Sequence, residues 1–304
     1  MSKFDPKKDI PDLGGKVILI TGGTAGVGAG TLIELAHHNP SHLLFTGRNQ
    51  NSAEAIIAKL QAISSSVKVS FIQCDLSDLT SVKSAANKIL SELSRLDILV
   101  CNAGICCAPA ALSKDGYEIH FATNHLGHAL LTKKLLPLLQ ASAQSGNGPR
   151  IITASSTAWR GTPPGGIVFD KLKTTQDLAI LGRWLRYGQS KLANLLYARE
   201  LAERYPEILS FSITPGVVST GMVTGLGWAN KALVYATTIG QMQTPEEGTY
   251  NHLWAMTAAR EGIKPGLFYE PVGQLSKLES KASRDVDLSK RLWDWTEEEL
   301  AGWV

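Results

Sequence analysis

Short apolar runs alternate with longer helical patterns along most of the chain. The apolar runs cover residues 16–20, 42–46, 67–73, 97–100, 150–154, 208–214 and 266–269, and each has the length of a buried strand. Residues spaced for helices cover about 29–38, 50–61, 77–94, 116–139, 187–202 and 245–259. Strands that alternate with helices are typical of a parallel sheet with helices on both faces. The pattern therefore predicts an α/β fold with a doubly wound parallel sheet of about seven strands.

Length and composition fit one globular domain that spans residues 1–304, with a polar lead-in at 1–13. A content of 44% hydrophobic and 19% charged residues is enough for a large core. A net charge of +3 is too small to predict binding to nucleic acid or to an anionic membrane surface. No apolar run reaches the ~20 residues of a transmembrane helix, and the first residues lack the apolar core of a signal peptide. We therefore expect a cytoplasmic protein without a transmembrane segment.

A glycine-rich turn follows the first predicted strand and leads into the first long helix. Its spacing is Gly22-x-x-x-Gly26-x-Gly28. Glycines let the backbone approach a pyrophosphate closely, and the helix N-terminus offers unpaired N–H groups. A plain loop between strand and helix is the alternative, but it would need fewer glycines. The turn therefore predicts a dinucleotide-binding Rossmann unit, and the residues expected to contact the cofactor are Thr21, Gly22, Thr24, Ala25, Gly26, Val27 and Gly28.

The end of the second predicted strand indicates which dinucleotide is bound. A site for NAD would place Asp or Glu there to hold the ribose hydroxyls, whereas this chain has Arg48 followed by Asn49. A guanidinium can bind a 2′-phosphate through two hydrogen bonds. The alternative is that Arg48 is a solvated loop charge. We predict that the cofactor is NADP(H), with Arg48 and Asn49 in contact with it.

The ends of three further strands supply the remaining predicted cofactor contacts. Asp75, with Leu76 beside it, either accepts a hydrogen bond from the adenine amino group or caps the next helix. Small residues after the fourth strand would let a flat ring lie against the strand end. Thr220 and backbone groups after the sixth strand are placed to contact a carboxamide. These contacts are expected from Asp75, Leu76, Asn102, Ala103, Gly104, Pro215, Gly216, Val218 and Thr220.

Tyr187 and Lys191 lie four residues apart in a predicted helix and can face the same cleft. A tyrosine ionises near pH ~10, and a cation one turn away lowers that pKa, so the phenol could exchange protons with an alcohol or a carbonyl. The alternative is a surface pair, since Tyr-x-x-x-Lys occurs by chance on many helices. Both residues are also expected to contact the cofactor.

Two other polar positions accompany this pair. Asn124 lies inside a predicted helix, where asparagine costs stability. It could distort the helix and bind a water through its carbonyl, or it could be a surface residue. Ser155 and Ser156 end the fifth strand, where ligands bind in such folds, and we expect Ser155 to cap a turn. The histidines 125 and 128 lack a third ligand, so no metal is predicted.

The four cysteines are Cys74, Cys101, Cys106 and Cys107, and their spacing fits neither a zinc site nor a disulfide framework. Cys74 and Cys101 lie at predicted strands and are expected in the core. Cys106 and Cys107 follow a glycine turn near the expected cleft, where they either line the pocket or supply a reactive thiol. Residues 221–243 are rich in glycine and small apolar residues and are predicted to cover the substrate. The tail, with Trp293, Trp295 and Trp303, is predicted to form a closing helix.

In combination, these motifs make the chain resemble the short-chain dehydrogenase/reductase family over about residues 14–270. The matching segments are Thr21-Gly22-x-x-x-Gly26-x-Gly28, Cys101-Asn102-Ala103-Gly104 and Pro215-Gly216 with Thr220, and cysteine replaces the first asparagine of the family's Asn-Asn-Ala-Gly element. Asn124, Ser156, Tyr187 and Lys191 fall on the family's four catalytic positions. The segments 124–128 and 190–194 look like the retinol-dehydrogenase-like branch.

The resemblance implies hydride transfer between nicotinamide and a small apolar ketone, aldehyde or secondary alcohol. Ser156 and Tyr187 would bind the substrate oxygen, Tyr187 would transfer the proton, and Lys191 would hold the cofactor ribose. Asn124 would hold a water that relays protons through Lys191. A homodimer through the two long helices is also in keeping with the family. Two alternatives stay open: a protein that senses NADP(H) without turnover, and a non-redox epimerase or dehydratase that keeps its cofactor bound.

Overall fold

The computed structural model describes residues 4–178, 181–219 and 242–304. Its strands are Val17–Thr21 (β1), His42–Gly47 (β2), Lys68–Gln73 (β3), Ile98–Cys101 (β4), Arg150–Ala154 (β5), Leu209–Ile213 (β6), Val217–Val218 (β7), Met242–Gln243 (β8), Phe268–Glu270 (β9) and Gln274–Leu275 (β10). Eight of them form one sheet in the order β10-β9-β6-β5-β4-β1-β2-β3. Its neighbouring strands run parallel except for the antiparallel β9–β10 pair. The seven predicted strands and the doubly wound sheet are thus confirmed.

The helices are Pro6–Asp9 (α1), Gly26–Ala36 (α2), Gln50–Ile63 (α3), Leu79–Glu92 (α4), Ile119–Phe121 (α5), Gly127–Gln144 (α6), Gly182–Arg204 (α7), Glu247–Thr257 (α8), Lys281–Arg284 (α9) and Val286–Leu300 (α10). Several begin at a side-chain cap, as at α3, where the Asn49 side chain accepts from the Ser52 N–H, and at α4, where Asp78 accepts from Ser81. Such a cap satisfies one of the first N–H groups of a helix. α2 has no side-chain cap.

The core lies in two layers, one on each face of the sheet. Along β1, Ile18 and Ile20 pack in the layer that contains residues of α2, α3 and α8, whereas Leu19 packs in the layer of α4, α6, α7 and α10. This division follows from the alternation of side chains along a strand. Because both faces are covered, the central strands read as nearly continuous apolar runs in the sequence.

Two elements differ from the sequence predictions, and a third prediction falls mostly outside the described residues. The helix that carries Tyr187 begins at Gly182, so Tyr187 lies in its second turn. A two-residue strand, β10, follows β9 through a short turn and lies beyond the predicted sheet. The predicted substrate cover, 221–243, lies outside the described residues except for Met242–Gln243, which pair in parallel with Val217–Val218.

The strand order reverses between β1 and β4, which are neighbours at the middle of the sheet. Chains that leave such a pair of strands turn to opposite faces, so a crevice opens at their carboxyl ends, where ligands bind in open α/β sheets. The glycine-rich turn and Asn102 both lie at this edge. Within the described ranges, no helix is long and apolar enough to cross a bilayer.

Candidate active site

The turn after β1 approaches the chain after β4 so closely that side chains are excluded. Gly22 has a left-handed backbone with φ of +70°, and a Cβ there would lie 3.0 Å from the Ala103 Cα. A Cβ on Gly28 would collide with the Gly22 carbonyl oxygen and would lie 2.7 Å from the Asn102 Nδ2. The N-terminus of α2 opens directly from this turn without a capping side chain. The arrangement therefore fits a pyrophosphate, whose oxygens would accept from free N–H groups.

Hydrogen bonds fix the ends of β1 and β4 relative to each other. The Thr21 Oγ1 accepts from the N–H groups of Asn102 and Ala103 at 2.9 and 3.0 Å, and the Asn102 Nδ2 donates to the Thr21 carbonyl at 2.8 Å. Thr21 and Asn102 were both predicted to contact the cofactor. In the structure, their hydrogen bonds hold together the two strand ends that form the crevice. Ala103 and Gly104 continue along its edge.

The end of β2 lies against the glycine-rich turn. A Cβ on Gly47 would lie 2.6 Å from the Thr24 Cγ2, so the two segments are in contact. Arg48 is exposed and has no ion-pair partner among the described residues, while its carbonyl accepts from the Gln73 Nε2 at 3.0 Å. Asn49 caps α3 through its side chain. Ala25, Gly26 and Val27 lie on the other side of Thr24, at the start of α2.

The remaining predicted cofactor residues sit at neighbouring strand ends. The Asp75 Oδ1 accepts from the backbone N–H and the hydroxyl of Ser77 at 2.9 and 2.7 Å, and it is Asp78 that caps α4. Leu76 is buried, with its carbonyl against Gly127. Pro215 and Gly216 follow β6 as predicted, whereas the side chain of Val218 packs against Gly248. Thr220 lies outside the described residues.

Tyr187, Lys191 and Ser156 converge at the carboxyl edge of β5. The Lys191 Nζ lies 5.8 Å from the centre of the Tyr187 ring and donates to the Ala154 carbonyl at 3.0 Å. Ser156 lies close enough to the Tyr187 hydroxyl to lower its pKa, and the Ser156 hydroxyl accepts from the Ala158 N–H at 3.2 Å. Ser155 does not cap a turn as we expected, because its hydroxyl donates to the Lys191 carbonyl at 2.7 Å and ties β5 to α7.

Burial sets the ionisation of this group. Loss of solvent raises the pKa of Tyr187 above its usual 10, and a negative charge on Cys106 would raise it further, whereas Ser156 works to lower it. Burial lowers the pKa of Lys191 from 10.5 to about 8. The expectation of a phenol pKa below its usual value is therefore wrong, because burial raises that pKa. Desolvation outweighs a cation at this distance, so the phenol keeps its proton at neutral pH.

Asn124 lies at the centre of a π-helical turn, Ala122–Leu126, that joins α5 to α6. It is fully buried, which excludes the surface role, and its side chain clamps Ile105. The Asn124 Oδ1 accepts from the Ile105 N–H at 2.8 Å, and its Nδ2 donates to the Ile105 carbonyl at 3.0 Å and to the Ser190 hydroxyl at 2.9 Å. The predicted distortion of the helix is therefore present, and it turns the amide toward the crevice.

His128 links the π-helical turn to the frame of the crevice. Its Nδ1 lies 3.0 Å from the Asn124 carbonyl and its Nε2 lies 2.8 Å from the Thr21 Oγ1. A carbonyl only accepts, so the Nδ1 carries the proton and the Nε2 accepts from the Thr21 hydroxyl. Burial lowers the pKa of His128 to about 4, which keeps the ring neutral. The sequence signal for this contact is the spacing of four residues between Asn124 and His128.

A buried cluster of charged and polar residues supports the start of α7, and no local sequence pattern predicts it. The Glu118 Oε1 accepts from the His120 Nδ1 at 2.8 Å and lies 3.3 Å from the Arg186 Nε. The His120 Nε2 accepts from the Ala108 N–H at 3.0 Å, and its ring lies edge-on to Tyr187 at 6.4 Å. The cluster thus fixes the residue before Tyr187 and the segment that faces it.

Comparisons with known proteins agree with this geometry. The sequence model of the short chain dehydrogenase family matches residues 16–170. The short-chain dehydrogenase/reductase drtF of Aspergillus calidoustus is 34% identical over 304 residues, which cover 96% of this chain and 95% of that protein. Human polyprenol dehydrogenase is 31% identical over 265 residues, 86% of this chain and 76% of its own.

Among solved structures, an uncharacterized protein from Mycobacterium paratuberculosis superposes with a TM-score of 0.73 at 27% identity and covers 98% of this chain and 97% of its own. The family matches agree with the crevice at the β1–β4 switch point. The match to polyprenol dehydrogenase also agrees with the branch that the segments 124–128 and 190–194 indicated. The chain belongs to the short-chain dehydrogenase/reductase family of oxidoreductases, which use nicotinamide cofactors, within its retinol-dehydrogenase-like branch.

Proposed function

We propose that the protein transfers hydride between NADP(H) and an apolar ketone, aldehyde or secondary alcohol. The convergence of Tyr187, Ser156 and Lys191 at the edge of β5 carries this proposal. The Lys191 ammonium is buried and, among the described residues, donates to one acceptor, the Ala154 carbonyl. An ammonium has three N–H donors, so two remain for ribose hydroxyls. The remaining predicted cofactor contacts, from the glycine-rich turn to the segment after β6, stay part of this proposal.

The side chains of the site divide the work around the substrate oxygen. When bound, the cofactor supplies or accepts the hydride. The hydroxyls of Ser156 and Tyr187 donate to the carbonyl oxygen, where negative charge develops during reduction. Because burial raises the pKa of Tyr187, the phenol carries the proton that the new alkoxide needs. Lys191 then stabilises the phenolate, since a nearby ammonium favours the charged form.

In this proposal, the Asn124 backbone carbonyl binds a water that returns a proton to Lys191. The same carbonyl already accepts a hydrogen bond from the His128 Nδ1. A carbonyl has two lone pairs, so it can still accept from a water. The position of Gly104 favours a water between Asn124 and Lys191, because a Cβ on Gly104 would lie 3.0 Å from the Asn124 Oδ1 and 3.5 Å from the Lys191 Nζ. The lack of a side chain at Gly104 keeps this space open.

The preference for NADP(H) rests on Arg48. The guanidinium is exposed at the end of β2, beside the turn that carries Thr24, and the described residues offer it no carboxylate. A 2′-phosphate placed there would gain two charge-assisted hydrogen bonds. We expect Arg48→Glu to lower kcat/KM for NADPH by about 10- to 100-fold, because such bonds contribute about 1.5–3 kcal/mol. Use of NADH by the same variant is the internal control.

An apolar substrate is supported by the relationship to a polyprenol dehydrogenase, whose name describes an apolar alcohol. The composition of residues 221–243, rich in small apolar residues, is a second support. The cytoplasmic location, the single domain and the homodimer stay predictions. Cell fractionation and sedimentation of the purified chain would test the location and the homodimer.

The decisive experiment is a panel of apolar ketones, aldehydes and alcohols, followed at the nicotinamide absorbance band with each cofactor. We expect net oxidation of NADPH with at least one carbonyl compound and loss of turnover by at least 1000-fold in Tyr187→Phe. This estimate follows from the contribution of a positioned acid of about 10²–10⁴-fold together with the lost hydrogen bond. Tyr205→Phe, at the carboxyl end of the same helix, is the matched control. Full turnover in Tyr187→Phe, or bound cofactor without net oxidation, would contradict the proposal.

A further inference from the structure

Two adjacent cysteines lie in a segment that is held at both ends by residues of the active site. On one side, Asn124 binds both the N–H and the carbonyl of Ile105 at 2.8 and 3.0 Å. On the other side, the Ala108 N–H donates to the His120 Nε2 at 3.0 Å, and the Ala108 carbonyl accepts from Arg186 at 3.3 Å. Cys106 and Cys107 are therefore fixed between the π-helical turn and the start of α7.

The two thiols are oriented toward each other. Their sulfur atoms lie 3.3 Å apart, which is a hydrogen-bonding contact between thiols. Cys107 is buried and has a left-handed backbone with φ of +53°, a conformation that a non-glycine residue rarely adopts. Cys106 is half-buried. The strained backbone of Cys107 and four hydrogen bonds to the flanking residues hold the two cysteines in this arrangement. Of the two thiols, only that of Cys106 is accessible to a reagent.

Electrostatics separates Cys106 from the other cysteines. The contact with Cys107 and the Lys191 ammonium lower the pKa of Cys106 against the opposing effect of burial. Burial raises the pKa of Cys74 and that of Cys101 to about 12. The thiolate is the reactive form of cysteine, so reaction in the folded protein is directed to Cys106, with the Cys107 S–H as the donor that stabilises its thiolate.

We propose that Cys106 and Cys107 form a vicinal dithiol modification site that reacts with low-molecular-weight disulfides beside the catalytic tyrosine and lysine. The Cys106 thiolate attacks one sulfur of the disulfide, the S–S bond breaks, and one thiolate leaves. Cys107 then loses its proton to solvent and attacks the Cys106 sulfur, so the intramolecular S–S bond forms and the second thiolate leaves. The two cysteines lose two electrons in total, and the external disulfide gains them.

The product differs from the dithiol in shape. A disulfide bond needs sulfur atoms about 2.0 Å apart, so the 3.3 Å contact must close and the backbone of the segment must shift. Adjacent Cα atoms are ~3.8 Å apart, shorter than the 4.4–6.8 Å usual for disulfides. Such a bond is readily reduced, which makes the modification reversible. Because Asn124 binds Ile105 and Arg186 binds Ala108, a backbone shift between these residues also displaces the groups that position Tyr187.

The test uses the reduced, full-length protein and dithiobis-nitrobenzoate, an aromatic disulfide whose released thiolate is coloured. Wild type should release two thiolates per chain in a fast phase and end two hydrogens lighter by mass. Cys107→Ser should release one and keep the aromatic adduct, and Cys106→Ser should show no fast phase. A wild-type rate in Cys106→Ser, or a single thiolate with a stable adduct in wild type, would overturn the proposal.

A second readout connects the dithiol to the active site and rests on the proposed function. With a substrate identified, wild type should lose turnover in step with the fast phase and regain it with dithiothreitol, while Cys106→Ser retains turnover in the reagent. Full turnover of the oxidised wild type would overturn the placement beside the reacting groups. The release of thiolate requires no substrate, so the two failures can be told apart.

Discussion

Replacement of Asn124 by alanine should loosen one segment of the crevice and leave the rest of the sheet intact. The side chain makes three hydrogen bonds, two with the Ile105 backbone and one with the Ser190 hydroxyl, at 2.8, 3.0 and 2.9 Å. A hydrogen bond contributes about 1 kcal/mol net, so the free energy of unfolding should fall by about 3 kcal/mol. With an m-value of about 3 kcal/mol/M, the urea midpoint should fall by ~1 M.

The matched control is Asn251→Ala. Asn251 is also fully buried and its side chain also makes three hydrogen bonds, in this case all with the backbone. It donates to the carbonyls of Thr214 and Tyr269 at 2.7 and 3.2 Å and accepts from the Gly273 N–H at 3.0 Å. Both variants should lose similar stability. Only Asn124→Ala should speed hydrogen exchange in a peptide that contains the Ile105 amide. The reasoning is refuted if Asn124→Ala unfolds within about 0.5 kcal/mol of wild type, or if both variants leave that peptide equally protected.

Two further predictions concern buried titratable groups. His252 has no hydrogen-bond partner among the described residues for either ring nitrogen, and burial, aided by the Lys191 charge, lowers its pKa from 6.5 to about 4. The unfolded chain therefore binds one more proton between these values, and stability falls as the pH falls from 6.5 to 4. His252→Leu should remove this loss. Relative to wild type, its free energy of unfolding in urea should therefore be about 2 kcal/mol more favourable to the folded state at pH 5 than at pH 7.5. An equal change at both pH values would contradict the lowered pKa of His252. Glu118→Gln should lower the free energy of unfolding by at least about 3 kcal/mol, because it leaves the Arg186 charge buried without its partner. Arg284→Gln, in the exposed pair with Glu279, should lower it by less than about 1 kcal/mol. Similar losses for the two variants would show that burial does not set the contribution of these ion pairs to stability.

The local arrangement of the site followed from sequence because it depends on short spacings. Tyr187 and Lys191 lie one turn apart on α7, and the glycine spacing placed the turn between β1 and α2. The start of α7 was missed because residues 182–186 lack an apolar period, and no side chain caps it. β10 was missed because two residues carry no periodic signal.

Contacts between distant parts of the chain were not predictable in the same way. The pKa of Tyr187 depends on how deeply the phenol is buried, which no local spacing reveals. The pairing of Glu118 with Arg186 joins α5 to α7 across a long separation, and each residue alone looks like an ordinary helix charge. The role of Ser155 likewise depends on where the α7 backbone passes. Burial and tertiary packing decide these properties.

The packing of α10 on the two long helices bears on self-association. Trp293 stacks on Tyr197 of α7 with ring centres 5.0 Å apart, and Thr296 contacts His125 while Glu297 pairs with Lys133 of α6. The tail of the chain thus covers part of the two-helix face through which we predicted a homodimer. A dimer through that face would therefore require α10 either to move or to become part of the contact.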